Sequence, residues 1–330
     1  MFKFLKSVVK KVLAAVMSVV GIGAASITTA VTGLPTTSNP TNSTAYEQSV
    51  SALTMCDLAS EAYTGALFNL MSKYMKIKNN SVAGWLHIKE ETFSDGLTYA
   101  LWVNSFDPTT YVLVYTGTDQ IKDMLDYIPM EVSKNRSSQM KNAATVLKGI
   151  DETIANLHSQ NASVFGELEK LYITGHSLGG YLAMYIASDL VDSVLTNNAN
   201  VLVGVNDIGW GNVDTKEEIQ SKLQCVTIGA PGMNVKIKAL LTDWQKQKIE
   251  ANNSGHYTEI ITQYIQPGDP VTTIVPGGDH LGRKVQFKKP SVSVSTKWKF
   301  FSENPGIIGA GAAFLLYHHL PWVYSNLISK

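Results

Sequence analysis

The chain has 330 residues, 45% of them apolar, with 27 basic side chains balanced by 27 acidic ones. That is enough for one large α/β domain, or two small ones, with a substantial core. The formal net charge is zero and turns mildly acidic without residues 1–30, which is not the balance of a protein built to grip nucleic acid.

The N-terminus differs from the rest. Lys3, Lys6, Lys10 and Lys11 precede an apolar stretch of 16 residues, VLAAVMSVVGIGAASI, which runs into small residues. This predicts a secretory signal peptide over residues 1–30, cleaved after Ala25 or Ala30, with an uncleaved N-terminal anchor as the alternative. Its loss would remove four lysines and no acid, leaving a balance of 0 − 4 = −4. A Thr/Ser/Asn/Pro-rich linker over 31–45 follows, and no further linker divides residues 46–330, which are expected to form a single domain.

That body opens with apolar positions at helical spacing over 46–76 (Leu53, Ala59, Ala62, Leu67, Leu70, Tyr74). Strands are expected at 83–89, 97–104 and 110–116, from their branched and aromatic content and the turns at Ser94-Asp95-Gly96 and Asp107-Pro108. A long helix is expected at 138–158, a strand at 168–174, a helix after it, and a polar excursion at 195–221. A strand QCVTIGAP, a helix around 233–250 and a strand ITQYIQ complete the alternation. Helices alternating with apolar strands predict an α/β fold, a mostly parallel central sheet with helices on both faces. The 12-residue apolar segment at 306–317 is too short to span a bilayer and is expected to pack on the core. Cys56 and Cys225 sit in apolar contexts and are expected as buried free thiols, with a disulfide as the alternative. Asn-x-Ser/Thr tripeptides at Asn42, Asn79, Asn135, Asn161 and Asn252 carry no weight by themselves in so Asn-rich a chain.

The most informative stretch is LYITGHSLGGY, residues 171–181, where an apolar β-branched run enters a Gly-x-Ser-x-Gly turn and then a helical pattern. A nucleophile elbow has this form: the turn strains the backbone at Ser177 and brings neighbouring chain close, which Gly175 and Gly179 permit. A serine hydroxyl needs a base to take its proton, and in an elbow fold the order along the chain is Ser, then acid, then His. That order leaves His280, His318 and His319 of the seven histidines. Asp269, in the turn Pro267-Gly268-Asp269-Pro270 after the strand ITQYIQ, is the expected acid, although that tetrapeptide is also good turn chemistry in its own right.

GHSLGG, VYTGTDQIKDMLD, VTIGAPG and GDPVTTIVP together resemble the class 3 lipase family of α/β-hydrolases, over roughly residues 50–330. The resemblance implies Thr118, after Gly117, as one oxyanion-hole donor and the Leu178 backbone N–H as the second. It also implies Asp269 as the acid, His280 as a bystander, and His318 or His319 as the base. His319 is preferred because Pro321 suits the start of a helix, and because the offset to Tyr324 resembles the family's terminal His-x-x-x-x-Tyr pattern. Family members often carry Arg before the Gly-Thr pair, where this chain has Thr116. The interval Asp119–Met140 corresponds to the family's lid, with Asp123 and Asp126 at its acidic positions; a plain surface helix is the alternative.

The expected function is therefore a secreted serine carboxylester hydrolase acting on acyl glycerols or related esters, needing no cofactor and no metal. An acyltransferase or thioesterase on the same triad, or a lipid-binding protein of the same fold without turnover, are the rivals. Lipid or another acyl ester is the expected partner, with possible contact at a lipid interface and none with nucleic acid.

Overall fold

The computed structural model describes residues 52–61, 82, 84–116, 136–196, 200–234, 242–266, 269, 271–273 and 278–287. A helix α1 (Ala52–Glu61) precedes strands β1 (Trp85–Thr92), β2 (Thr98–Asn104) and β3 (Thr110–Tyr115). Helices α2 (Ser138–Lys148) and α3 (Ile150–Gln160) lead to β4 (Lys170–His176) and α4 (Leu178–Leu195). Helix α5 (Lys216–Lys222) then runs straight into β5 (Leu223–Ile228), followed by the two-residue β6 (Met233–Asn234) and α6 (Asp243–Asn253). Strands β7 (Ile261–Ile265), β8 (Gly278–Asp279) and β9 (Arg283–Gln286) close the described part.

Seven strands form one sheet in the order β1-β2-β3-β4-β5-β7-β9, while β6 and β8 pair as a separate ribbon. The pairs β1–β2 and β2–β3 are antiparallel, and every pair from β3 to β9 is parallel. Turn chemistry sets the antiparallel end. Gly96 takes φ 87°, and the Asp95 carboxylate accepts the Leu97 N–H, closing the β1–β2 turn. Asp107 accepts hydroxyls from Thr109 and Thr110 at 2.7 and 2.6 Å in the β2–β3 turn.

Every residue of β2 and β3 is buried, as a sheet covered on both faces requires. The pleat divides their side chains between two cores. Tyr99, Leu101, Tyr111, Leu113 and Tyr115 join the core under α2 and α4, whereas Ala100, Trp102, Val112 and Val114 pack with Met55, Leu58 and Ala59 of α1. The α/β class, with helices on both faces of a mostly parallel sheet, is thus observed. Cys225 belongs to the α4 side and Cys56 to the α1 side; both thiols are free and buried, so the disulfide alternative is set aside.

Three local expectations are corrected. The predicted helix at 138–158 is two helices, broken at Gly149, which sits at φ −86° and ψ 0° and serves α2 as its C-cap. The excursion at 195–221 is not merely polar: Val203, Val205, Ile208, Trp210, Val213 and Ile219 are buried, and the Trp210 indole donates to the Leu168 carbonyl at 2.9 Å. Of the helix expected around 233–250, Asp243–Asn253 is helix, entered through a capping box of Thr242 and Gln245, whereas residues 233–234 are strand and 235–241 lie outside the described residues.

Candidate active site

β3, β4, β5 and β7 run parallel, so their carboxyl ends share one edge of the sheet, the edge where ligands bind in open α/β sheets. Ser177 lies there, between β4 and α4, at φ 59° and ψ −128°; among the described residues it is the one non-glycine with positive φ. Such a backbone costs about 1–3 kcal/mol and persists only where the surroundings hold it. Here they do, because the Ser177 N–H donates to the Ile228 carbonyl of β5 at 2.9 Å, and the Ser177 carbonyl accepts from Tyr181 at 3.1 Å.

The flanking glycines are set by close approach. A Cβ on Gly175 would strike the backbone of Gly179, and one on Gly179 would strike the Tyr115 carbonyl and the Thr116 backbone at the end of β3. The first turn of α4 is therefore seated directly on the end of β3, two residues before Thr118. Ser177 makes no capping bond to α4 with its side chain, and it is only 4% exposed. Leu178 opens α4, so its N–H belongs to the unsatisfied first turn, where the helix dipole favours negative charge.

Asp269 lies beyond β7 on the same edge and is completely buried. One carboxylate oxygen accepts the Val271 N–H at 2.8 Å, and the main chain is pinned on both sides, its N–H to the Gln266 carbonyl and its carbonyl to the Thr272 hydroxyl. The structure thus brings Ser177, Leu178 and Asp269 to one edge. His280 is elsewhere engaged. Its Nδ1 is 2.8 Å from Gln263 Oε1, and Gln263 uses its amide N–H groups on the Leu281 carbonyl and Met184 sulfur, so the imidazole donates from Nδ1. Burial, aided by the positive charge of Lys284, pushes the His280 imidazole down to about 4, which keeps it neutral.

His318, His319 and Thr118 lie outside the described residues, as do the signal-peptide region, Asp123, Asp126 and the segment at 306–317. Of the lid interval only Arg136–Met140 is described. Ser137 caps α2 by accepting the Met140 N–H at 3.1 Å. Arg136 stacks over the rings of Trp244 and Tyr185 at 5.5 and 5.9 Å and donates to the Asn200 carbonyl.

Two supporting groups escape sequence reading. Asp95 ties the β1–β2 turn to α2, accepting from Asn142 at 2.8 Å while its carbonyl accepts from Gln139. Farther along α4, Asp189 and Asp192 hold Lys248 of α6 at 2.6 and 2.7 Å, with every side chain of this trio buried. Leu202 N–H and the Tyr257 hydroxyl complete the acceptors' partners at 2.8 and 2.6 Å. The available signal was a pair of acids three apart on a largely apolar helix with no other charge. Among the described residues no three His, Cys, Asp or Glu side chains come together as a metal-binding group.

A sequence profile described as Lipase (class 3) matches residues 112–277, half of the chain. No curated protein sequence matches it. Among solved structures it is similar to a Rhizomucor miehei lipase propeptide complex, at 17% identity and TM-score 0.41, over 74% of this chain and 70% of that one. It is similar to lipase II from Rhizopus niveus at 15% identity and TM-score 0.41, over 73% and 82% of the two chains. A lipase from Rhizopus microsporus var. chinensis gives 15% and 0.42, over 78% and 80%. With half of its length matched by that profile and a strand–turn–helix elbow set in a mostly parallel sheet, the chain belongs to the class 3 lipase family, ester hydrolases of the α/β-hydrolase fold.

Proposed function

We propose that this chain is an exported serine carboxylester hydrolase that cleaves acyl esters of glycerolipids through an acyl-enzyme on Ser177, within one hydrolase domain over residues 46–330. The observation that carries this reading is the strained Ser177 turn, at φ 59°, whose hydroxyl is not spent on capping α4. Strain of this kind at a position held by main-chain bonds from a neighbouring strand is a mark of function rather than of packing.

In the proposed reaction Ser177 Oγ attacks the ester carbonyl while His319, or His318 in its place, takes the hydroxyl proton. Asp269 orients that imidazole and offsets its positive charge. The negative oxygen of the tetrahedral intermediate accepts hydrogen bonds from the Leu178 N–H and from Thr118; one such donor is worth about 3 kcal/mol of barrier. Collapse expels the alcohol, which takes the proton from the imidazolium, and water then attacks the acyl-serine by the same route to release the acid. Two features favour Asp269 as the acid: its burial, and a main chain pinned at both ends beside the carboxyl edge. The exported state rests on the lysine-led apolar N-terminus alone.

Release of p-nitrophenol from short and long acyl esters, run beside Ser177→Ala, tests the reading. Turnover that depends on Ser177 and rises with acyl chain length is expected. Folded protein that cleaves no ester, or that cleaves esters equally well without the serine hydroxyl, would overturn it.

A further inference from the structure

Of the five Asn-x-Ser/Thr tripeptides that sequence alone left without weight, two have their asparagine within the described residues, Asn161 and Asn252, and these two differ. Asn161-Ala162-Ser163 lies in the loop between α3 and β4, and all three residues are exposed. The backbone there is fixed: Asn161 caps α3 with its N–H on the Leu157 carbonyl, and its own carbonyl accepts from Val164 and Phe165. The Ser163 hydroxyl donates to Asn161 Oδ1 at 2.7 Å, so the hydroxyl and the amide of the tripeptide are already in contact. The amide nitrogen has no protein partner among the described residues.

Asn252 presents the opposite case. It belongs to α6, its Oδ1 accepts the Gly282 N–H at 2.7 Å, and its Nδ2 donates, weakly, to the His280 carbonyl at 3.4 Å. The hydroxyl of its tripeptide, Ser254, turns back to the Glu250 carbonyl at 3.0 Å. A sugar on that amide nitrogen would crowd the side chain where it joins α6 to the segment leading to β9. At Asn135 the third residue, Ser137, spends its hydroxyl oxygen on the Met140 N–H.

We infer that Asn161 is an N-linked glycan acceptor, modified when the chain enters a lumen that holds a polyprenyl-pyrophosphate-linked oligosaccharide and its transferase. In that step the Asn161 amide nitrogen bonds the anomeric carbon of the oligosaccharide with its electron pair and gives up one proton to water. The bond from that carbon to the pyrophosphate oxygen breaks, and the lipid pyrophosphate leaves. The fold tolerates the product, because the loop sits at the amino edge of the sheet, where Gly166 N–H reaches the Pro108 carbonyl beside the start of β3. The candidate active site is on the opposite edge, so the sugar stands clear of any ester approaching Ser177. A flexible, hydrated chain at that loop adds solubility without touching either core.

The test uses the full chain behind a heterologous secretory leader in a eukaryotic host. Its peptides are sequenced by mass spectrometry after an amidase that releases N-glycans and leaves Asp in place of Asn. The conversion is expected at Asn161 in most molecules, absent in Asn161→Gln and in Ser163→Ala, and absent at Asn252 in the folded protein. Transfer takes place in the lumen, so peptides from the membrane fraction report it even where the protein is retained. Ester turnover of Asn161→Gln stays within about twofold of the parent, as for a surface substitution. An unmodified Asn161 in lumenal, folded protein, or a glycan carried at Asn252 instead, would overturn the inference.

Discussion

Gly179, in the first turn of α4, packs its backbone against the Tyr115 carbonyl at the end of β3, so closely that no side-chain carbon fits between them. The contact fixes the helix that begins beside Ser177 against the strand that leads toward Thr118. Position, rather than chemistry, is what a methyl group there would disturb. Gly179→Ala is expected to cost about 1–3 kcal/mol as overpacking and to lower ester turnover by at least about 100-fold, since a misplacement near 1 Å suffices for that. Comparing chemical denaturation with kcat on one p-nitrophenyl ester checks it; an active, equally stable variant would show the contact to be slack.

Ser177 offers a sharper comparison. Its φ of 59° strains any residue with a Cβ, so Ser177→Gly is expected to be more stable than Ser177→Ala by about 1 kcal/mol, with both inactive. Melting temperatures of the two variants decide it, and equal values would mean that the turn is not strained.

Asp269 and His280 stand close in sequence and are expected to differ in effect. Asp269→Asn should reduce kcat by a factor on the order of 10⁴, the loss seen when a triad aspartate is replaced. His280→Ala should spare most activity, because its ring bonds Gln263. A dead His280 variant beside an active His319 variant would reverse the two histidines' roles.

His280 also predicts a pH dependence of stability. Burial lowers its folded value from 6.5 to about 4, so between those values the unfolded chain binds a proton that the folded chain does not. The contribution is complete above about pH 6.5 and is lost as pH falls toward 4. His280→Gln should flatten that part of the stability profile, measured by urea unfolding from pH 7 down to pH 4. An unchanged slope would mean that another group sets it.

Much of the sheet was legible because β2, β3, β4, β5 and β7 are apolar runs between strong turn residues, and the elbow combined a strand, a tight glycine turn and a helix. The rest depended on partners far away in the chain. β9, with the sequence RKVQ, has no apolar alternation and is a strand only because β7 offers it an edge. The break at Gly149 hid in a continuous helical period. Nothing local marks Lys248 as buried, since its partners Asp189 and Asp192 lie 59 and 56 residues away.

That trio gives the fourth stability prediction. Lys248→Met would leave two buried carboxylates facing an apolar side chain, and is expected to cost about 3–5 kcal/mol. Thermal unfolding is the check. A neutral effect would mean that the carboxylates find other partners.

The most direct test of the proposed function is covalent labelling with an alkyl fluorophosphonate, whose phosphorus takes the serine oxygen and loses fluoride. One label per molecule on the peptide carrying Ser177, with parallel loss of ester turnover and no label on Ser177→Ala, is the predicted result. Folded protein that stays unlabelled, or that is labelled elsewhere as turnover disappears, would contradict the assignment of Ser177 as the nucleophile.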